Sequence, residues 1–265
     1  MLYGGGERRE EEEILINVRQ LRRLGSVWQM AFNTDKCHVL HTGKKNTEHN
    51  YRWGQGFLAK ANEEKDVGVI ISSSLKPSLQ CAKAASRANQ VLGQMARSVT
   101  YRDKFTFIRL YKVYVRPHLQ YCSPAWSPYS VGDREVLESV QRRAVNMVSN
   151  ISGSYEQKLK HLGLTTLEEN RRRGDMVEMF KLMSGISKVD YRKFFTLASV
   201  RSEAGNTRGN SGFLNVEEPP LAKTDVRRYF FSQRCPRLWN SLPDSVKQSS
   251  TVNSFKAAYD QYMTV

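Results

Sequence analysis

Residues 76–97 read KPSLQCAKAASRANQVLGQMAR. Side chains spaced three and four apart lie on the same side of an α-helix, and this segment carries two different stripes at that spacing. The polar stripe consists of Lys76, Gln80, Lys83, Arg87, Gln90, Gln94 and Arg97. The apolar stripe consists of Cys81, Ala85, Ala88, Leu92, Met95 and Val99. The segment therefore predicts an amphipathic helix of about 21 residues that packs on a core through its small apolar side.

The polar stripe lies in the part of the chain that carries most of the excess charge. The 265 residues hold 41 Lys and Arg against 26 Asp and Glu, a net charge of +15. Residues 75–181 alone hold 18 basic and 9 acidic side chains, a net +9. No acid occurs within residues 76–102, although a solvated helix face ordinarily mixes both signs. We therefore expect a polyanion to bind here, with an ordinary solvated surface as the alternative.

A second helix is predicted over residues 103–116, with Ile108, Tyr111 and Val115 on its apolar side. Its other side carries the basic residues Arg109, Lys112 and Arg116. Pro117 is expected to end this helix, because proline interrupts the backbone hydrogen bonds of a helix interior.

The connector YCSPAWSPYS (121–130) is expected to be an extended loop because it contains two prolines. Its aromatic residues are Tyr121, Trp126 and Tyr129. They could stack on nucleic-acid bases, but aromatic residues near a helix end more often fill the core, which is the interpretation favoured here.

Three further helices are predicted downstream. The first begins near Asp133, a favourable capping residue, and carries Arg142 and Arg143 near its outer side. The second covers residues 154–162, and the third begins at Thr166. Their short connectors favour antiparallel packing.

The N-terminal part predicts a small α+β unit. A helix is expected over residues 7–24, and short strands are expected over residues 36–43, 57–60 and 67–72. The first strand contains Cys37, His38 and His41. On a strand, positions 37 and 41 lie about 13 Å apart, too far to share a zinc ion, so these residues are interpreted as ordinary strand residues and no metal site is predicted.

The C-terminal part begins with a stretch rich in Ser, Gly and Asn, followed by a helical segment with an aromatic cluster. The predicted cluster consists of Phe230, Phe231, Trp239, Phe255 and Tyr259. The whole chain is thus expected to be α+β and predominantly helical. Its predicted parts are residues 1–74, with short strands; 75–184, the basic helical domain; 185–220, an irregular linker; and 221–265, a C-terminal helical region.

No stretch approaches the roughly 20 consecutive apolar residues that a membrane-spanning helix needs. We therefore expect a soluble, intracellular chain, in the nucleus or the cytoplasm, with no membrane partner. The four cysteines are Cys37, Cys81, Cys122 and Cys235. Their scattered spacing favours free thiols over a disulfide framework.

The common catalytic motifs are missing from the sequence: it has no GxxxxGK[ST], GxSxG, HExxH or CxxC pattern. It also has no two adjacent aspartates, a pair that would be expected where clustered carboxylates hold two metal ions in a polymerase. His118, which follows Pro117, is far more often packed than catalytic in such a setting. We therefore predict no catalytic residue and no cofactor.

Six stretches of the sequence resemble the C-terminal portion of the reverse transcriptase of non-LTR retrotransposons of the LINE type, in particular the jockey-like group. They are WQMAFNTDKCHVLHTGKKN (28–46), EEKDVGVIISSSLKPSLQCAKAASRANQVLG (63–93), LYKVYVRPHLQYCSPAWSP (110–128), LESVQRRAVNMV (137–148), LGLTTLEENRRRGDMVEMFKLMSG (162–185) and RRYFFSQRCPRLWNSLPDSV (227–246). Their fixed order makes the resemblance more specific than any single motif. It covers nearly all of the chain from Trp28 onward.

The resemblance implies the end of a polymerase palm, a helical thumb and a C-terminal extension. The family's activity is RNA-directed DNA synthesis, with Mg²⁺ held by palm carboxylates. Lys36 matches the lysine that follows the family's Phe-Asn pair and would assist at the nucleotide site. In the family the catalytic carboxylates precede the segment that Trp28 begins, and this sequence has no Asp upstream of Trp28.

The leading hypothesis is therefore a truncated reverse transcriptase homologue that cannot polymerise alone and binds RNA or an RNA–DNA duplex non-specifically, mainly through phosphates. The basic residues expected to do so are Lys36, Lys76, Lys83, Arg87, Arg97, Arg109, Lys112, Arg116, Arg142 and Arg143. One alternative is a domesticated helical protein-interaction module, which binds a protein partner or supplies a thumb in trans to a polymerase palm and fingers. This alternative predicts exposed apolar surface on strands 57–60 and 67–72. Another is a non-functional relic.

Overall fold

A computed structural model describes Gln20 and residues 23–24, 27–30, 33–43, 46, 48–53, 56–198 and 215–264. Over these residues the chain is mostly helical with small sheets, which confirms the predicted α+β, predominantly helical class. The chain forms two compact units, Met1–Gln80 and Cys81–Val265. The helix predicted over residues 7–24 lies almost entirely outside the described residues.

The described residues of the first unit form three two-stranded sheets. Its strands are β1 (His38–Leu40), β2 (Arg52–Trp53), β3 (Gly56–Phe57), β4 (Ala59–Ala61), β5 (Glu63–Asp66) and β6 (Val69–Ser72). β1 pairs with β4 in parallel, whereas β2 with β3 and β5 with β6 are antiparallel. The β5–β6 turn holds Val67 and Gly68, both with positive φ, as a tight two-residue hairpin requires.

The strands predicted over residues 36–43 and 67–72 are shorter in the structure, and the strand predicted over 57–60 is divided between β3 and β4. The segment predicted from residue 36 begins instead with a 3₁₀ turn, Thr34–Lys36, so Lys36 is not on a strand. The strand β5 was not predicted, because its sequence EEKD lacks any apolar alternation. It forms because β6 supplies a full antiparallel partner with the register from Glu63 opposite Ser72 to Asp66 opposite Val69.

The helices after residue 77 contain most of the described residues. They are α1 (Ser78–Ser98), α2 (Lys104–Leu110), a π-helix (Tyr111–Val115), α3 (Arg116–Gln120), α4 (Ser123–Trp126), α5 (Val131–Asn146), α6 (Tyr155–Leu162), α7 (Leu167–Met183), α8 (Asp225–Arg228), α9 (Phe231–Asn240), α10 (Asp244–Lys247) and α11 (Val252–Thr264). A 3₁₀ turn, Tyr191–Lys193, follows α7. None of the described helices is long and apolar enough to cross a membrane.

The apolar stripe predicted for α1 is confirmed. Cys81, Ala85, Ala88, Leu92 and Met95 are all buried. The polar stripe is interrupted at one position, because Gln80 is only 6% exposed and its Oε1 accepts a hydrogen bond of 2.9 Å from the backbone N–H of Ile70. Gln80 therefore serves the fold rather than the outer face of α1.

The prediction that Pro117 ends the second helix is wrong. The helical rod continues through the π-helix into α3, where Pro117 lies in the first turn. The wider π turn bonds the Arg116 N–H to the Tyr111 carbonyl, five residues back, so the missing proline N–H falls at a helix start and costs no interior hydrogen bond. Cys122, with φ of 53°, then breaks the rod.

Two other local predictions also need correction. The connector at 121–130 is not wholly extended, because α4 forms with Pro124 in its first turn, where proline is tolerated. The cap of α5 is Ser130 rather than Asp133: the Ser130 hydroxyl accepts a hydrogen bond of 3.0 Å from the Asp133 N–H. The prediction that Thr166 caps α7 is confirmed, with Glu169 completing a reciprocal capping box.

One hydrophobic core of the second unit joins α7 to the C-terminal helices. Of the predicted aromatic cluster, Phe231, Trp239, Phe255 and Tyr259 are buried, whereas Phe230 is 47% exposed. The residues that share this core include Met176, Met179 and Phe180 of α7 and two residues on either side of the undescribed 199–214 stretch, Phe195 and Val216. The parts predicted separately as 75–184, 185–220 and 221–265 thus meet in one unit, because the apolar side of α7 is covered by the C-terminal aromatics. The Ser- and Gly-rich stretch at 202–212 lies outside the described residues.

Candidate nucleic-acid interface

The outer side of α1 presents three exposed cations in a row, Lys83, Arg87 and Arg97. Among the described residues, none of the three forms an ion pair, and the nearest polar contact is 3.4 Å from Arg87 Nη1 to Gln90 Oε1. Fourteen residues separate Lys83 from Arg97, which corresponds to about 21 Å along a helix. The row therefore has the length of about six steps of a nucleic-acid strand at 3.4 Å each.

Two predicted residues lie next to this helix or before it. Arg143, on α5, donates a hydrogen bond of 3.2 Å from Nη1 to Asn89 Oδ1, so its exposed guanidinium lies beside α1. Lys76 is exposed and precedes the first turn of α1. The structure thus brings Arg143 beside α1 at Asn89, although sequence spacing alone could not relate the two helices.

Arg142 is a poorer candidate than predicted. Its guanidinium bonds to both carboxylate oxygens of Glu135 and lies over the ring of Tyr155, 5.2 Å from the centroid. The hydrogen bond to Glu135 also raises the pKa of Arg142. Its charge is therefore already compensated within the protein, and it adds little to an attraction for phosphate.

The rod formed by α2, the π-helix and α3 carries a second set of predicted cations. Arg109 is exposed, and Lys112 and Arg116 are half-buried. Lys112 donates to the Gly163 carbonyl at 3.4 Å, so its ammonium is only partly committed. The predicted apolar side is confirmed, because Ile108, Tyr111 and Val115 are buried.

Four exposed aromatic residues lie on and around this rod. Three of them were not predicted, and Tyr121, for which filling the core was the favoured interpretation, is exposed instead, so that interpretation is wrong for it. Tyr101, Phe105, Tyr114 and Tyr121 have 76%, 75%, 57% and 53% of their surface exposed, and Lys104 Nζ lies 5.1 Å from the Phe105 ring centroid. The sequence held a signal for Phe105, which precedes Arg109 by four residues and so shares its side of the helix. Aromatic rings beside cations are the combination with which proteins stack single-stranded bases.

Of the other two loop aromatics, the core interpretation is confirmed for Trp126, whereas Tyr129 is half-buried and contacts another ring. Trp126 is 5% exposed and donates from Nε1 to the Tyr121 carbonyl at 2.8 Å. The Tyr129 ring stacks on Tyr229, with ring centroids 5.0 Å apart. These two residues are not available to stack on bases along the rod.

Lys36 is exposed in the first unit. The neighbouring histidines have ordinary partners: His38 Nδ1 lies 3.2 Å from Glu64, and His41 Nδ1 lies 3.0 Å from Asn46 Oδ1. Across the part of the chain that the structure describes, no group of three or more His, Cys, Asp or Glu side chains is placed to share a metal ion. Cys37, Cys81, Cys122 and Cys235 are free thiols.

Comparison with known proteins identified no relative: no family model, no curated protein and no solved structure matches the chain.

Proposed function

We propose that this chain binds RNA or an RNA–DNA duplex without sequence preference, through phosphate contacts from α1 and from the α2 to α3 rod. The observation that carries the proposal is the exposed row of Lys83, Arg87 and Arg97 on a helix whose other side lies in the core. Since no acid shares residues 76–102, the field of the row is not cancelled locally. Because the apolar side of α1 is packed in the core, the helix also holds the three charges at fixed spacing before a ligand binds.

In this proposal the chain is a homologue of the C-terminal portion of a non-LTR retrotransposon reverse transcriptase. The first unit would contain the end of the palm, and the second unit the thumb and the C-terminal extension. The sequence resemblance of the six stretches supports this assignment, and a basic helical thumb that grips a template and primer would account for the charge on α1.

The described residues do not fit the two-magnesium site of such a polymerase. Among the described residues, no group of three or more His, Cys, Asp or Glu side chains could hold a metal ion, and two carboxylates of the first unit have basic partners: Glu48 lies 3.3 Å from Lys60, and Glu64 lies 3.2 Å from His38. No two aspartates are adjacent in the sequence. The proposed activity is therefore binding alone, and a primer-extension assay with Mg²⁺ is expected to show no incorporation; incorporation by the pure protein would contradict this part of the proposal.

Binding is tested by fluorescence anisotropy with two single-stranded RNAs of unrelated sequence. The protein is expected to bind both RNAs with similar affinity and to lose affinity steeply between about 50 and 200 mM salt, because counterion release drives phosphate binding. A strong preference for one RNA, or an affinity that does not change with salt, would contradict the proposal.

The exposed ring of Phe105 gives a separate prediction. The Phe105→Ala variant is expected to bind single-stranded RNA about 1–3 kcal/mol more weakly, because one stacked base is lost. Binding of an RNA–DNA duplex, whose bases are already stacked on each other, should change much less. Phe194→Ala, which removes a partly exposed ring elsewhere in the second unit, is the control; equal losses in the two variants would show that the ring of Phe105 has no special role.

A second candidate function is a protein-interaction module, which two exposed apolar side chains of the first unit favour. Phe57 is 70% exposed and Val67 is 81% exposed. The surface is smaller than this hypothesis expected, because Val69 is buried and Ile70 and Ile71 are half-buried. Self-association that persists in high salt would favour this candidate, because apolar contact survives the screening that weakens phosphate contact.

A further inference from the structure

A cavity of about 700 Å³ opens in the second unit among residues of α5, α7, α9 and α11, with Tyr129 and Tyr229 from the connecting segments. Its volume lies within the range of about 300–1,000 Å³ typical of small-molecule sites. Five arginines line it: Arg134, Arg171, Arg172, Arg234 and Arg237. Only two carboxylates, Glu168 and Asp175, line the same cavity. The lining therefore carries a net positive charge, and none of its residues belongs to the basic row on α1.

The two carboxylates form ion pairs with three of the arginines. Glu168 Oε1 lies 3.1 Å from Arg134 Nη1 and 2.9 Å from Arg172 Nη2. Asp175 accepts two hydrogen bonds of 2.8 Å from Arg234. Among the described residues, no ion pair engages the remaining two arginines, Arg171 and Arg237.

Arg171 is the unusual member of the set. It is only 3% exposed, and its Nη1 is buried with no hydrogen-bond partner in the described part of the chain. Burial lowers the pKa of this guanidinium, which shows how much the site disfavours the bare charge. Glu138 and Glu168 attract the guanidinium, but the buried Nη1 donor stays without a hydrogen bond, which costs free energy that a bound acceptor would recover.

The rest of the lining suits an organic group beside the anion. Tyr129 and Tyr229 stack at 5.0 Å with an angle of 8° between their planes, and Met176 and Leu238 add apolar surface. Guanidinium groups bind phosphate through two parallel N–H donors, which gives them a geometric advantage at such sites.

We propose that this cavity binds a phosphate monoester of the size of a mononucleotide, with the phosphate held by Arg171 and Arg237 and the organic part against the tyrosine pair and the apolar lining. The ligand would satisfy the buried Arg171 donor that the protein leaves open. Such a phosphate occurs on a free nucleotide or on the 5′ end of a nucleic-acid strand. The site is independent of the proposed interface on α1.

Calorimetry with AMP, adenosine and inorganic phosphate tests the proposal. AMP is expected to bind, and adenosine, which lacks the phosphate, is not. The Arg171→Met variant should bind AMP about 10- to 100-fold more weakly, since a hydrogen-bonded charged contact is lost. It should melt close to the native temperature, because among the described residues Arg171 forms no ion pair and its buried Nη1 has no hydrogen-bond partner. This separation of binding from stability would not follow from a structural role for Arg171.

Two further variants keep the test decisive. Arg237→Gln changes an exposed residue and should also weaken AMP binding if Arg171→Met fails to fold, whereas Arg192→Met, which changes an exposed arginine away from the cavity, should bind AMP like the native protein. Absence of AMP binding, or equal binding by the native, Arg171→Met and Arg237→Gln proteins, would overturn the proposal.

A further experiment distinguishes a free nucleotide from the 5′ end of a strand as the source of the phosphate. It uses the variant in which Lys83, Arg87 and Arg97 are alanine, so that nucleic acid does not also bind through α1. Competition with AMP by a 5′-phosphorylated oligonucleotide, but not by its 5′-hydroxyl counterpart, would identify a strand end as the ligand. Competition by neither, with AMP still bound, would identify a free nucleotide.

Discussion

The variant in which Lys83, Arg87 and Arg97 are all replaced by alanine is expected to bind single-stranded RNA roughly 100-fold more weakly than the native protein at about 50 mM salt. A phosphate that no longer contacts a Lys or Arg side chain keeps its condensed counterions. The variant therefore lacks the entropy gain that counterion release gives the native protein. The fold should survive, because the three side chains are exposed and the apolar side of α1 is unchanged. Fluorescence anisotropy measures the change.

A charge-matched control separates the effect of position from that of net charge. Lys188, Lys193 and Lys223 are exposed and lie away from α1 in the sequence. Replacing these three with alanine removes the same total charge and should weaken binding by less than about threefold, because only the long-range field changes. Equal losses in the two triple variants would mean that the attraction comes from net charge and not from the row on α1.

Replacing Trp239 with alanine is expected to lower the free energy of unfolding by about 3–5 kcal/mol. Trp239 has no exposed surface, and its ring lies 6.1 Å from that of Phe255 in the core that joins α7 to the C-terminal helices. The cavity left by the indole cannot be refilled by the surrounding rings without distortion. Urea unfolding followed by circular dichroism measures the loss.

Phe230→Ala is the matched control for this core. Phe230 precedes α9 and is 47% exposed, so its loss should cost well under the value for Trp239. Two results would contradict this expectation: a similar loss of stability in the two variants, or a urea midpoint of Trp239→Ala equal to that of the native protein. Either would mean that the C-terminal helices do not stabilise the second unit as the structure indicates.

Helix positions could be predicted from the sequence where an apolar stripe and a capping residue agreed. The stripe from Cys81 to Met95 and the cap at Thr166 are examples, and both are local properties of fewer than 22 residues. The errors arose where a distant or unusual partner decided the outcome. Gln80 fits the polar stripe by spacing, but it is buried because its Oε1 accepts a hydrogen bond from the Ile70 N–H. Pro117 is tolerated within the helical rod because a π turn precedes it.

The candidate interface could be predicted only in part for the same reason. The row on α1 follows from sequence spacing alone. The ion pair that compensates the charge of Arg142 and the exposure of Phe105 depend on side-chain positions in the folded chain. The arginine cavity could not be predicted at all. Its lining comes from residues as far apart as Arg134 and Arg237, and their convergence depends on the packing of α9 against α7.

The central claim is that nucleic acid binds through phosphate contacts made by the row on α1. The slope of log K against log salt concentration for single-stranded RNA, measured for the native protein and both triple variants, tests it most directly. The account predicts a steep slope for the native protein, a slope smaller by about 2 when Lys83, Arg87 and Arg97 are alanine, and little change in the charge-matched control. Identical slopes for the native protein and the α1 variant would contradict it.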